Sequence, residues 1–188
     1  MKYGIGLLLC LFLSAGTTMA AELPGDSVYR LPATFSDQDG VTREWSALQG
    51  SARLVSMFYS HCPMACPLII EHGKQIQRRL GESLPEATEF VLISMDPERD
   101  TPAVLTDTAQ KHQLDMRRWS LLAPRAADVR ALAGILDIRY RKLKDGSFNH
   151  TSVWVLLDAE GRVLARTEVS NLTPDPQFVE QVRRTLAL

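Results

Sequence analysis

The stretch Leu54-Val55-Ser56-Met57-Phe58-Tyr59-Ser60-His61-Cys62-Pro63-Met64-Ala65-Cys66-Pro67 decides how the chain reads. Residues 54–59 are a mostly apolar run of strand length, which predicts a buried central strand. Cys62 and Cys66 follow, four apart, each with a proline next to it and with His61 just before the pair. Pro63 or Pro67 suits the first turn of a helix, where a missing N–H costs nothing. Residues 68–80 then carry apolar side chains at helical spacing until Gly81. The two cysteines are therefore expected at a strand-to-helix junction.

Outward from that junction, residues 29–35 and 41–43 flank Asp37-Gln38-Asp39-Gly40, a turn signal that predicts an amino-terminal β-hairpin. Residues 90–95 predict a second buried strand, 101–114 a helix begun by Thr101-Pro102, and 119–122 a short third strand. A helix over 126–136 precedes an extended stretch at 138–143. Residues 153–157 and 163–169 form a second hairpin about the turn at 158–161, and 174–186 closes the chain as a helix. Strands alternating with helices, followed by a hairpin and a helix, give an α/β fold with a central mixed sheet flanked by helices. There is no internal repeat, and 188 residues suit one domain.

The amino terminus reads as an export signal over residues 1–20, with the folded domain over 21–188. Met1-Lys2 gives a basic start, residues 4–16 an apolar run, and Thr18-Met19-Ala20 a small-residue cleavage site. The run is shorter than the roughly 20 residues that span a bilayer, so an uncleaved inner-membrane anchor is the alternative. Cys10 belongs to the apolar run. Removing residues 1–20 takes away Lys2 and no acid, so the net charge moves from −1 to about −2. That balance does not favour nucleic acid. Export also leaves only Cys62 and Cys66, in a periplasmic compartment where thiols are normally oxidised.

On a helix, residues four apart have Cβ atoms about 5–6 Å apart, whereas a disulfide wants about 3.8 Å. Two metal–sulfur bonds of about 2.3 Å at a tetrahedral angle put the sulfurs about 3.8 Å apart, within reach of adjacent turns. The spacing slightly favours chelation, and a disulfide stays open if the first turn is irregular. A helix amino terminus stabilises negative charge, so one or both thiols are expected to ionise below about 8.5. Thiolate is both metal ligand and redox nucleophile, and local sequence does not separate the two. A passive disulfide is a poor stabiliser here, because so short a loop constrains the unfolded chain little.

A Cys₂His set suits copper in either oxidation state. His61 projects away from its neighbour Cys62, and His72 and His112 lie on helices among polar residues, where they read as solvated. His150 is placed differently, in a loop opening the second hairpin. Met64 could offer a thioether, although methionine more often fills apolar gaps.

Three pieces together resemble the SCO/SenC family of thioredoxin-like copper proteins: the Phe58 to Pro67 stretch, Ile93-Ser94-Met95-Asp96-Pro97-Glu98-Arg99-Asp100-Thr101-Pro102, and Asp145-Gly146 followed by His150-Thr151-Ser152. The resemblance runs along nearly the whole chain after the export signal. It implies a thioredoxin-like fold in which Cys62, Cys66 and His150 bind one copper ion, as Cu(I) or Cu(II). Asp96 is a candidate outer partner of that site, Arg99 a candidate mate for a nearby acid, and Asp100 or Thr101, with Thr101 favoured, the cap of the following helix. Family members commonly have an aspartate where this chain has Met64, and a transmembrane anchor where this one has a cleavable signal.

The resemblance implies a periplasmic assembly factor that carries copper to a respiratory copper enzyme, with the dinuclear copper site of cytochrome c oxidase the expected client. Other periplasmic copper carriers or thiol reductants are expected partners. The competing reading is a thiol:disulfide oxidoreductase that reduces the client's cysteines through the Cys62–Cys66 pair, with Cys62 the nucleophile. A peroxidase is a weaker third reading.

Overall fold

The structure is a computed structural model that describes residues 22–62 and 65–188. The export segment with Cys10, and Pro63 and Met64, lie outside the described residues. The hairpin strands β1 (Thr34–Asp37) and β2 (Thr42–Glu44) come first, then β3 (Arg53–Phe58) leads into helix α1 (Ala65–Leu80). Next come β4 (Glu89–Ser94), α2 (Pro102–Lys111), β5 (Trp119–Pro124) and α3 (Val129–Ile135). A small hairpin, β6 (Tyr140–Lys142) and β7 (Phe148–His150), precedes β8 (Val153–Leu157), β9 (Val163–Glu168) and α4 (Pro176–Thr185).

Seven strands form one sheet in the order β2-β1-β5-β4-β3-β8-β9, while β6 and β7 pair only with each other. The central β3, β4 and β5 run parallel, with α1 and α2 as their crossovers, and the outer strands pair antiparallel. This is the mixed sheet flanked by helices that the sequence predicts. Every residue of β3 and β8 is buried, as a strand covered on both faces must be. Edge strand β9 instead alternates, and β2 is exposed throughout.

Two stretches differ from the sequence expectation. Residues 28–30 form a 3₁₀ turn, with the Ser27 hydroxyl accepting from the Tyr29 N–H, so the first hairpin strand starts only at Thr34. Pro32, which has no N–H for a ladder, separates the two. His150 ends β7, directly opposite Tyr140, rather than lying in a loop. The three-residue strand 148–150 is too short to leave a period in the sequence.

Helix α1 sits close against the sheet. Gly73 makes this approach possible: a Cβ there would stand 2.5 Å from Trp154 Cζ2 and 2.8 Å from Trp119 Cη2. Those indoles meet edge to face at 5.8 Å, and Trp119 stacks on Phe90 at 4.8 Å. Trp119 donates to Gln77 Oε1 and Trp154 to the Ile69 carbonyl, so both rings are anchored to α1.

The carboxyl ends of β3 and β4 are tied together by Asp100, which has no exposed surface. Its carboxyl group accepts from the Ser60 N–H at 3.2 Å, from the Ser60 hydroxyl and from the Ser94 hydroxyl. One side chain thus fixes the chain leaving β3 towards the cysteines against the end of β4. Thr101 caps α2, as expected, its hydroxyl accepting from the Val104 N–H.

Two stability measurements check this account. Gly73→Ala gains at most about 1 kcal/mol of helix propensity but forces a methyl into rigid indoles, a net loss of about 1–3 kcal/mol. Its melting temperature falls by about 2–4 °C per kcal/mol lost, and an unchanged value would mean that α1 stands further from the sheet. Asp100→Ala leaves the buried Ser94 hydroxyl and the half-buried Ser60 N–H and hydroxyl without this acceptor and is expected to cost about 2–4 kcal/mol in urea unfolding. A cost below about 1 kcal/mol would show that the tie between strand ends contributes little.

Candidate metal and thiol site

The cysteines lie at the strand-to-helix junction that the sequence predicts. Cys62 precedes α1, and Cys66 is the second residue of the helix. The Cys66 N–H points to the Cys62 sulfur at 3.4 Å, and the Tyr59 N–H to the Cys66 sulfur at 3.2 Å. Both cysteines are buried and present as thiols, not as a disulfide. Because Cys62 stands outside the helix, the spacing argument for adjacent helical turns does not apply, and its preference for chelation over a disulfide lapses.

The expected ionisation is also corrected in part. The Cys66 thiol is pushed above its ordinary range, first by its hydrogen bond to Cys62 and then by burial, with Asp100 adding to the effect. The Tyr59 N–H works the other way and is outweighed. Position at a helix head lowers a thiol's pKa only when water or donors can reach the thiolate. Cys66 is 3% exposed.

Tyr59 is the residue that the sequence reading missed. Its hydroxyl is hydrogen-bonded to Cys62 and accepts from the Phe148 N–H at 3.3 Å. Its ring meets His150 edge to face at 6.0 Å and Phe148 at 5.0 Å. Burial, then the hydrogen bond to Cys62, pushes its phenol up to about 12. A single side chain therefore touches the thiol pair on one side and the β6–β7 hairpin on the other. Its place at the end of the apolar run, three residues before Cys62, is the signal that could have marked it.

His150 is half-buried, and its Nδ1 lies 3.2 Å from the Thr151 carbonyl. A carbonyl only accepts, so Nδ1 is the donor there, and in the neutral ring Nε2 holds the lone pair. That Nε2 is buried with no hydrogen-bond partner. Two sulfurs and one imidazole nitrogen with an open lone pair are a soft and borderline donor set that fits copper. Among the described residues, however, no three His, Cys, Asp or Glu side chains converge closely enough to hold a metal ion. Tyr59 touches both His150 and Cys62.

Asp96, the candidate outer partner of the site, lies just after β4. It is buried, and its carboxylate pairs with Arg99 at 3.4 Å and with Lys142 of β6 at 3.6 Å. Arg99 in turn donates to the Gly146 carbonyl at the tip of the small hairpin, where a glycine Cβ would meet the guanidinium at 2.9 Å. Asp96 thus holds the hairpin that carries His150, and Arg99 does have the acidic mate expected of it.

The other histidines divide. His61 is exposed, its Nδ1 2.9 Å from the Ser60 hydroxyl. His72 is not solvated as its polar neighbours suggested: it is 1% exposed, with Nδ1 2.8 Å from the Asn171 carbonyl. The loop before α4 covers it, a long-range contact that helical periodicity does not contain. His112 ends α2 half-buried, and burial lowers its pKa.

Comparison with known proteins places this geometry. The solved structure of a SCO1/SenC family lipoprotein from Bacillus anthracis is 26% identical, with a TM-score of 0.74 over 84% of this chain and 95% of that one. ScoI from Bradyrhizobium japonicum, solved with copper bound, is 25% identical, with a TM-score of 0.68 over 83% and 98%. BsSco, described as a cytochrome c oxidase assembly protein of the Sco family with a disulfide switch, is 25% identical, with a TM-score of 0.72 over 84% and 93%. No curated protein matches the chain significantly. The family model SCO1/SenC matches residues 24–187. With a thiol pair at the head of α1 and a mixed sheet shared with Sco structures, this chain belongs to the SCO1/SenC family.

Proposed function

We propose that the protein is a periplasmic copper-binding assembly factor that delivers copper to a respiratory copper enzyme, the dinuclear copper site of cytochrome c oxidase being the foremost client. The observation that carries this reading is the buried, unpartnered Nε2 of His150, one side chain away from the thiol pair. A buried nitrogen lone pair without a partner costs free energy, and a metal ion is a partner that would repay it. Copper-bound ScoI and the assembly role stated for BsSco support the same assignment.

In this reading Cys62 and Cys66 give up their protons to copper as thiolates, and His150 supplies the third ligand through Nε2. The β6–β7 hairpin lies outside the main sheet, so His150 can approach the sulfurs without breaking the seven-stranded ladder. Asp96 orients that hairpin through Lys142 and Arg99. Periplasmic copper carriers would load the site, and thiol reductants would keep it competent.

The hydrogen bond between Cys66 and Cys62 supports a second reading, thiol:disulfide exchange with the client. Cys62 as thiolate would attack a client disulfide to form a mixed disulfide. Cys66 would then displace the client thiolate, leaving the client reduced by two electrons and Cys62–Cys66 oxidised. The same oxidation removes both sulfur ligands, so redox state would gate copper occupancy.

Anaerobic titration of the reduced protein with Cu(I) and Cu(II) separates the readings. The carrier binds one copper per chain, and His150→Ala weakens that binding by at least about tenfold, the loss of one imidazole ligand. Undiminished binding in His150→Ala would sink the three-ligand set. Absent binding beside fast disulfide exchange would favour the oxidoreductase. Copper affinity is further expected to rise between about pH 6 and 9, by at least about tenfold per unit, because Cys66 must release a proton to the solvent. A flat profile would mean that Cys66 stays protonated and does not ligate.

A further inference from the structure

The small hairpin that carries His150 is also the most basic part of the chain. Arg139, Arg141, Lys142 and Lys144 fall within six residues that contain no acid, in a protein whose net charge is −1. Of these, Lys142 pairs with Asp96, while Arg139, Arg141 and Lys144 make no ion pair among the described residues. Arg130, exposed on α3, also makes none. Arg130, Arg139, Arg141 and Lys142 border a groove of about 600 Å³ between the loop after β4, helix α3 and the start of the hairpin. Its floor is apolar, with the buried side chains of Met95, Ala133, Ile138 and Phe148. Phe148 also packs on Tyr59, which is hydrogen-bonded to Cys62, so the floor of the groove is linked to the thiol site through two side chains.

Clustered unpaired cations repel one another and destabilise the folded state unless a counter-charge arrives from outside. The shape and chemistry of the groove select the source of that charge. It is an open groove in which four cations, Arg130, Arg139, Arg141 and Lys142, outnumber the two carboxyl groups of Asp96 and Glu98. An apolar floor with a mostly cationic rim matches a polypeptide whose acidic residues alternate with apolar ones. We propose that this groove docks an acidic segment of the protein that exchanges copper or electrons with the Cys62, Cys66 and His150 site. The identity of that partner rests on the function proposed above, whereas the charge and shape of the groove do not. Docking here would set the partner beside His150, with cationic steering raising the encounter rate.

Fluorescence anisotropy with a labelled peptide of alternating glutamate and leucine tests this on the reduced full chain. Binding is expected to weaken at least about tenfold between about 20 and 200 mM salt, as screening predicts. Arg139→Glu combined with Arg141→Glu is expected to weaken it by at least about tenfold. Arg78→Glu with Arg79→Glu, exposed at the far end of α1, should leave it unchanged. Equal loss in both double variants, or none in the first, overturns the groove as the docking site. Binding to vesicles of phosphatidylcholine and phosphatidylglycerol without binding to the peptide overturns it in favour of a membrane surface. Copper titration of the hairpin variant separates the two layers. Wild-type copper binding with lost peptide binding supports docking, whereas absent copper binding in the wild type with intact peptide binding removes the carrier function and leaves the groove.

Discussion

Asp100 is the constraint on which the site depends. A carboxyl group with no exposed surface joins Ser60, where the chain leaves β3, to Ser94, where β4 ends. In open α/β sheets the crevice beyond the carboxyl ends of parallel strands is where ligands bind. Here two such ends are held in register by a short hydrogen-bond network, and the cysteine loop starts from one of them. Tyr59, beside Ser60, inherits that fixed position and uses it to touch both Cys62 and the hairpin. Gly73 and the Trp119–Trp154 pair do the complementary work, holding α1 and thereby Cys66 against the sheet.

The second half of the site is mounted differently. His150 stands on a two-stranded hairpin with no ladder to the main sheet, tied down by Asp96 through ion pairs with partly exposed partners. The hairpin is held as well by Phe148, whose buried ring packs on Tyr59 and whose N–H donates to the Tyr59 hydroxyl. A thiol pair carried by the main sheet and an imidazole carried by a separate hairpin are an arrangement suited to a ligand that must be both bound and given up. The same hairpin carries the basic rim of the groove, so partner charge and ligand movement act on one element.

Much of this was legible in the sequence. The apolar run, the prolines and the helical spacing located the thiols at a strand-to-helix junction, and the alternation of elements gave the mixed sheet. Thr101 as a cap and the pairing of Arg99 with an acid also hold. The missed features are long-range or very short. Asp100 reads as a helix-capping residue because its mates, Ser60 and Ser94, are distant in sequence or belong to a strand. His72 reads as solvated because the Asn171 loop that buries it lies about a hundred residues away. Strand β7 is three residues long, below what periodicity detects. The low thiol pKa expected from a helix head failed for Cys66 because burial and the neighbouring sulfur outweigh the dipole.

The central claim is that Cys62, Cys66 and His150 form one copper site, with Tyr59 in contact with both Cys62 and His150. X-ray absorption at the copper edge, on reduced protein loaded with one equivalent, tests it most directly. The account predicts a shell of two sulfurs and one imidazole nitrogen, the nitrogen absent in His150→Ala. A shell of sulfur alone in the wild-type protein, or one unchanged by that substitution, would contradict it.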